Sequence, residues 1–355
     1  MTETMVRLEA VEKSYGAVHA LAPTSLEIAR GEFLTLLGPS GSGKTTILNL
    51  ISGSVAATGG KIWIGGRDVT HLPSNRRELG MVFQNYALMP HMSVFENIGF
   101  PLRVRQYSEA EIRKKVHEVL EVIRLEGYAN RKPKELSGGQ QQRVAIARCL
   151  VYNPDLILMD EPLGALDKKL RDQLQLEIRR IHRTLGVTLL YVTHDQSEAL
   201  VLSDRICLMN SGKVEQIGTP DELYFRPRTV FAADFLGDSN ILDVSVVSNG
   251  KQAKLTTRSG FQIEGVQTSL SAPVAKVMIR PESLIVAEDG NKEPNTLTGL
   301  VEDITLAGGV VDIQVRLDNA ETINVRRLTT RDFRATERGR PITLRVQPSD
   351  VVVLE

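Results

Sequence analysis

Two patterns in the 355-residue chain predict an α/β domain on a largely parallel sheet, followed by a small all-β barrel domain. Over the first two-thirds, apolar runs of strand length alternate with stripes of helical period, the signature of a parallel sheet covered on both faces. From about Asn240 onward, apolar and polar residues alternate with period two, as half-buried antiparallel strands require. The boundary falls at about 236–240, giving domains over 1–237 and 238–355.

Taken in order, Phe33 to Leu37 reads as a short buried strand that runs into a Gly/Pro/Ser loop. Thr45 to Ser52 follows as a helix closed by Gly53, a residue suited to the left-handed turn that ends helices. Ser108 and Glu111 have the spacing of a capping box. After it Ile112, Val116, Val119, Leu120 and Ile123 recur at helical spacing up to Gly127. Leu156 to Met159 is a buried strand. Leu170, Leu174, Ile178, Ile181 and Leu185 form a second helical stripe ending at Gly186. Thr188 to Val192 and Arg205 to Met209 are further strands. In the C-terminal part, Val311, Ile313, Val315 and Leu317 alternate with Asp312, Gln314, Arg316 and Asp318, and Ile342, Leu344 and Val346 repeat the pattern.

Composition argues against several classes. Lys plus Arg and Asp plus Glu both number 43, so there is no basic excess of the kind nucleic-acid binders show. The two cysteines, Cys149 and Cys207, form no CxxC pair and read as small buried hydrophobes rather than a disulfide framework. Residues 1–9 carry charges in place of the apolar run of a signal peptide, and no stretch reaches the ~20 apolar residues of a membrane helix.

The chemistry starts at Gly38-Pro39-Ser40-Gly41-Ser42-Gly43-Lys44-Thr45, which fits G-x-x-x-x-G-K-[ST] between a strand and a helix. This is the loop of the α/β P-loop NTPase fold. Glycines let several backbone N–H groups converge on one anion, and the helix N-terminus adds its partial positive charge. Lys44 is expected to reach the β- and γ-phosphates and the Thr45 hydroxyl to ligate Mg²⁺, with Thr46 beside them at the nucleotide. Asp160 and Glu161 follow the run Leu156 to Met159. A carboxylate at the C-terminal end of a buried strand lies where ligands gather in such folds. Asp160 is the candidate for holding Mg²⁺, and Glu161 the candidate general base. On its own the Asp-Glu pair would serve equally well as a helix cap; the phosphate loop tips the reading.

Leu136-Ser137-Gly138-Gly139-Gln140 stands between the phosphate loop and Asp160-Glu161, and resembles the signature motif of ABC ATPases. Further residues carry the resemblance. Tyr15 resembles the aromatic that stacks on adenine, and Gln84 the glutamine that senses Mg²⁺ and the attacking water. Gly164-Ala165-Leu166-Asp167 is similar to the loop that contacts the opposite site, and His194 to the histidine on the γ-phosphate. Gly80 to Pro101 is similar to importer cassettes, and Ile279-Arg280-Pro281-Glu282 to their accessory β-barrel domain, OB-like and of TOBE type. Phe235 to Asn240 makes the whole most like the ATPases of spermidine/putrescine importers, a likeness shared in most features by iron(III), aminoethylphosphonate and sugar importers.

The resemblance implies a helical subdomain over about 85–155 and a split site, in which Ser137, Gly138, Gly139 and Gln140 of one copy close on the ATP of another in a head-to-tail dimer. It also implies two integral-membrane permease subunits docking beside Asn85 to Met92, and a periplasmic or extracytoplasmic solute-binding protein acting indirectly. The place is then the cytoplasmic face of a bacterial inner membrane, and the accessory domain's expected role is to stabilise the dimer. Nucleic acid is not expected as a partner. The competing reading is a soluble ABC ATPase acting on DNA or ribosomes. Repair ATPases carry a long coiled-coil insertion, whereas only about a hundred residues separate Gly38 from Leu136, without sustained heptads. Translation-type relatives carry two cassettes, and this chain has one.

Overall fold

The computed structural model describes residues 3–164, 167–249, 252–267, 274–287, 295–317, 321–329 and 337–355. The chain divides into two compact units, Met1–Pro220 and Asp221–Glu355.

The first unit opens with β1 (Thr4–Tyr15), β2 (Val18–Ala29) and β3 (Phe33–Leu37), then α1 (Lys44–Ser52), β4 (Gly59–Ile64) and β5 (Arg67–Asp68). After β6 (Gly80–Val82) come α2 (Val94–Val104), α3 (Glu109–Val122) and α4 (Gly138–Leu150). The unit closes with β7 (Leu156–Asp160), α5 (Lys168–Leu185), β8 (Thr188–Thr193), α6 (Gln196–Leu202), β9 (Arg205–Asn210) and β10 (Lys213–Gly218).

Its central sheet runs β10-β9-β3-β8-β7-β6 and is parallel except where β10 pairs antiparallel with β9. The apolar strands are continuous because both faces are covered. Successive residues feed two cores. Phe33, Ile157, Met159, Leu189 and Tyr191 join one core with α2 to α5. Leu34, Leu36, Leu156, Leu158, Leu190 and Val192 join the other with α1 and a second sheet. That second sheet, β2-β1-β4-β5, is antiparallel and was not anticipated from the sequence.

Helix stops follow local chemistry. Gly53 and Gly186 end α1 and α5 at φ 75 and φ 63. Ser108 and Glu111 form both halves of the capping box of α3. That helix ends at Ile123, short of the expected Gly127: Arg124 turns to φ 55, and Glu126–Tyr128 form a separate 3₁₀ turn. Leu185 is likewise not core; it is 44% exposed. Cys149 and Cys207 are free and buried.

The second unit contains α7 (Pro220–Phe225), α8 (Val230–Phe235), β11 (Asn240–Asn249), β12 (Gln252–Thr257), β13 (Gln262–Gln267) and β14 (Val274–Ile279). It continues through β15 (Ile285–Val286), β16 (Thr296–Ala307), β17 (Val310–Arg316), β18 (Thr322–Leu328), β19 (Pro341–Arg345) and β20 (Val351–Leu354). The strands form two five-stranded sheets, β13-β12-β11-β14-β20 and β15-β19-β16-β17-β18. Leu242, Ile263 and Val277 from the first share one core with Val311, Ile313, Val315, Ile342 and Leu344 from the second. Asp318, the last polar residue of the alternating run, lies outside the described residues.

Arg280 is the polar centre of this unit. It is 2% exposed, and its guanidinium donates to the carbonyls of Tyr224, Ala233, Gly237 and Asp238 and to Ser239 Oγ. It also lies over the Tyr224 ring, 4.2 Å from its centroid, while the Tyr224 hydroxyl donates to Glu282. One buried cation thus fastens the 224–239 segment to the end of β14.

Candidate functional site

Three adjacent strands end at one edge of the central sheet. In the β3–β8–β7 register Leu37 lies beside Thr193, and Asp160 beside Val192. The residues that leave these strand ends are Gly38, His194 and Glu161, so the pairing itself gathers the phosphate loop, the histidine and the carboxylates.

The loop has the shape of an anion cradle. Gly38, Gly41 and Gly43 adopt φ 154, 79 and 100. A Cβ on Gly38 would strike the Met209 carbonyl oxygen, and one on Gly43 would come within 3.1 Å of the Ala20 carbonyl oxygen. Pro39 and Ser40 continue the loop; Ser40 and Thr45 are exposed, and Thr46 is half-buried. Ser42 Oγ is buried and, among the described residues, has no hydrogen-bond partner. Lys44 is 5% exposed, with Nζ donating to the carbonyls of Gly38 at 2.8 Å and Pro39 at 2.9 Å. Burial pushes its pKa down from the ordinary lysine value, against the pull of Glu161 and Asp160. An ammonium so enclosed, held by two backbone carbonyls, suits an incoming polyanion.

Asp160 closes β7 and Glu161 turns away at φ 42, with its N–H still donating to the Val192 carbonyl at 3.0 Å. Burial and then the neighbouring Glu161 raise the Asp160 pKa, with Lys44 opposing. Glu161 Oε1 lies 3.1 Å from His194 Nδ1, and its Oε2 accepts from Gln84 Nε2 at 3.5 Å. The structure thus joins Glu161, His194 and Gln84 directly. The hard oxygen donors of Thr45, Asp160 and Gln84 are the kind Mg²⁺ takes, with water completing its shell.

Tyr15, at the end of β1, is 52% exposed, and the Lys13 ammonium lies 4.7 Å from its ring centroid. It is an open aromatic platform, not a core residue. Ser137 caps α4 in a capping box with Gln140, and Gly138 and Gly139 form the first turn. Gly139 faces α5, where a Cβ would come within 2.9 Å of Leu170 Cδ1. Among the described residues no hydrogen bond or ion pair ties Ser137–Gln140 to the phosphate loop. Asp167 caps α5, accepting from the Leu170 N–H at 3.0 Å. Ala165 and Leu166 lie outside the described residues.

Comparison with known proteins places this geometry. Residues 21–164 match the family described as ABC transporter, and residues 277–354 match the TOBE domain. A spermidine/putrescine import ATP-binding protein, PotA, from Nitratidesulfovibrio vulgaris is 45% identical, over 93% of this chain and 90% of its own length. The protein of the same name from Desulfitobacterium hafniense is 42% identical over 100% of this chain and 99% of its own. The chain belongs to the ABC transporter ATP-binding family. Among solved structures, the ATP-binding cassette MJ0796, a dimer in a post-hydrolysis state bound to ADP and Pi, superposes with TM-score 0.54. It is 38% identical and covers 61% of this chain and 99% of its own. The cassette cbiO1 from Clostridium perfringens gives TM-score 0.58 at 28% identity, covering 66% of this chain and 93% of its own.

The cassette also holds buried polar groups that sequence reasoning passed over. Asn97, fully buried on α2, accepts from the Met89 N–H and donates to the carbonyls of Met89, Met92 and Ser93. Arg148 on α4 donates to the carbonyls of Tyr86 and Ala87, both at positive φ. Together they fix the shape of the Asn85 to Met92 segment. The one signal available was a polar residue inside an apolar helical stripe, beside Val94, Ile98 and Leu102.

Proposed function

We propose that this ABC subunit hydrolyses ATP to drive polyamine uptake, as the spermidine/putrescine import ATP-binding proteins it matches are named to do. The observation that carries the reading is the edge that joins a glycine cradle and a buried lysine to a carboxylate touching histidine and glutamine, in a chain alignable nearly end to end with those relatives.

In this reading Tyr15 stacks on adenine. Backbone N–H groups of residues 38–46 and Lys44 cradle the phosphates. Mg²⁺, held by Thr45, Asp160 and Gln84, would neutralise charge on the β- and γ-phosphates. Glu161 accepts a proton from the attacking water, and His194 and Gln84 hold that water and the γ-phosphate in line. The Ser137–Gln140 helix start offers a second anion cradle, with no bond to the phosphate loop of its own chain among the described residues. It closes on the ATP of a second copy in a head-to-tail dimer, so two polypeptides grip each nucleotide. Asp167 faces the opposite site. Loss of the γ-phosphate contacts after hydrolysis favours the open state, a population shift driven by differential contacts.

Two permease subunits would receive this motion at the Asn85 to Met92 segment, and a solute-binding protein would deliver cargo from outside. Among the described residues no helix is long and apolar enough to cross a membrane. A peripheral position on the cytoplasmic face of the inner membrane fits that role. We assign dimer stabilisation to the β-rich domain, over 238–355, that follows the cassette of 1–237.

The test is uptake by cells with and without this chain. Loss of radiolabelled spermidine and putrescine uptake, with iron(III), aminoethylphosphonate and sugar uptake intact, supports the reading. Intact polyamine uptake together with loss of one of the other solutes overturns the polyamine assignment.

A further inference from the structure

His194 is held from behind by an ionic network built around one buried carboxylate, Glu198. Thr193, the last residue of β8, accepts the Asp195 N–H at 3.0 Å and donates its hydroxyl to Glu198 Oε2 at 2.8 Å. The Tyr191 hydroxyl donates to the same oxygen at 2.8 Å. Asp195 caps α6: its Oδ1 accepts from the Glu198 N–H at 3.1 Å. The two residues flanking His194 are therefore bonded to each other across it.

Among the described residues one cation serves both carboxylates. Arg171, on α5, places Nη1 3.2 Å from Asp195 Oδ2 and Nε 3.9 Å from Glu198 Oε1. The Glu198 side chain is only 2% exposed, and burial raises its pKa with Asp195 adding to the effect. Arg171 is anchored in turn. Its N–H donates to the Asp167 carbonyl at 2.9 Å, and α5 is seated in the core through Leu174, Ile178 and Ile181. Removing the cation beside a buried carboxylate leaves its charge uncompensated, which is strongly destabilising.

We propose that Arg171 is a positioning residue for hydrolysis, bridging Asp195 and Glu198 so that the backbone at His194 holds the imidazole on Glu161. Its effect runs from α5 through the start of α6 to the histidine. This rests on the role given to His194 above. It adds that the first turns of α5, which begin at Asp167, set where that histidine stands.

Steady-state hydrolysis by the full chain tests it. Displacing a reacting group by about 1 Å lowers rate roughly a hundredfold. Arg171→Met should therefore lower kcat about ten- to a hundredfold, with KM for ATP within about threefold of wild type. Arg171→Lys, which restores a cation, should recover part of the loss. In a His194→Ala background Arg171→Met should cost less than about twofold, because the group it positions is gone. If Arg171→Met does not fold, Asp195→Asn, which can keep the cap but removes the charge partner, should show the same fall in kcat at unchanged KM. Wild-type kcat in the folded variant refutes the inference, as does a loss that multiplies in full with that of His194→Ala. Should His194→Ala alone turn over at the wild-type rate, the role of the histidine falls and this inference with it; a His194-dependent enzyme indifferent to Arg171 refutes the inference alone.

Discussion

Lys44→Ala separates binding from folding in this cassette. The ammonium is 5% exposed and donates to the carbonyls of Gly38 and Pro39 at 2.8 and 2.9 Å. Binding a triphosphate exchanges those neutral acceptors for charged oxygens. A hydrogen bond to a charged group contributes about 1.5–3 kcal/mol net, and a unit charge at 4 Å about 4 kcal/mol at an effective dielectric of about 20. Since the carbonyl bonds are lost in the exchange, we expect a net contribution of about 2–4 kcal/mol, roughly 30- to 1000-fold in Kd. Stability of the unliganded chain should change by only about 1 kcal/mol, because removing a desolvated cation offsets the loss of donors to two carbonyls. Equilibrium titration with a fluorescent ATP analogue in EDTA measures binding without turnover, and a melting curve checks the fold. A Kd within threefold of wild type in a folded variant refutes the cradle.

Three other outcomes follow from the same geometry. Glu161→Gln keeps a carbonyl oxygen for His194 and loses the base, so single-turnover hydrolysis should fall about 10²–10⁴-fold while ATP still binds and traps the dimer; unchanged hydrolysis contradicts the assignment. The Asp160 pKa is raised, so the unfolded chain binds fewer protons than the folded one above the ordinary carboxylate range, and the cost of its charge is relieved as pH falls through the folded value. The rise in melting temperature produced by Mg²⁺ with ADP should then shrink as pH falls from neutral toward the ordinary carboxylate range, more steeply in wild type than in Asp160→Asn, and equal slopes rule out the ligand role. Arg280→Met removes the guanidinium donors to the carbonyls of Tyr224, Ala233, Gly237 and Asp238, leaving Ser239 Oγ on those of Ala233 and Gly237, and should destabilise the second unit by about 3 kcal/mol, read as faster amide exchange in β11 and β14; a change under about 1 kcal/mol contradicts the clamp.

The parts of the fold legible beforehand are those in which local pattern and tertiary environment agree. Gly53 and Gly186 end helices because glycine enters a left-handed turn without the cost a Cβ brings. Val311 to Leu317 alternates because one face of β17 is core. The antiparallel sheet escaped for the opposite reason. In β1 the pairing with β2 slips between Leu8 and Val11 and again before Lys13, and Ala10 turns to φ 46, so period two is broken inside the strand. At the site, residues next to one another in sequence could be read as a unit, as Gly38 to Thr45 and Asp160-Glu161 were. Arg171 could not. In Lys168-Lys169-Leu170-Arg171-Asp172 it looks like any solvated charge, and only the packing of α5 on α6 brings it to Asp195 and Glu198.

The turn at Glu161 shows why two consecutive carboxylates can share one reaction centre. In an extended strand neighbouring side chains point to opposite faces. Met159 and Leu158 obey this, feeding the two cores on either side of the sheet. Had β7 continued straight, Asp160 and Glu161 would also have parted, one toward each layer. Instead Glu161 enters the left-handed region at φ 42, a conformation unfavourable for a residue with a side chain by roughly 1–2 kcal/mol. The bond from its N–H to the Val192 carbonyl, still in ladder register, holds the backbone while the side chain swings toward His194 and Gln84. The strain therefore lies at the point where strand periodicity would have separated the metal-binding carboxylate we assign from the base.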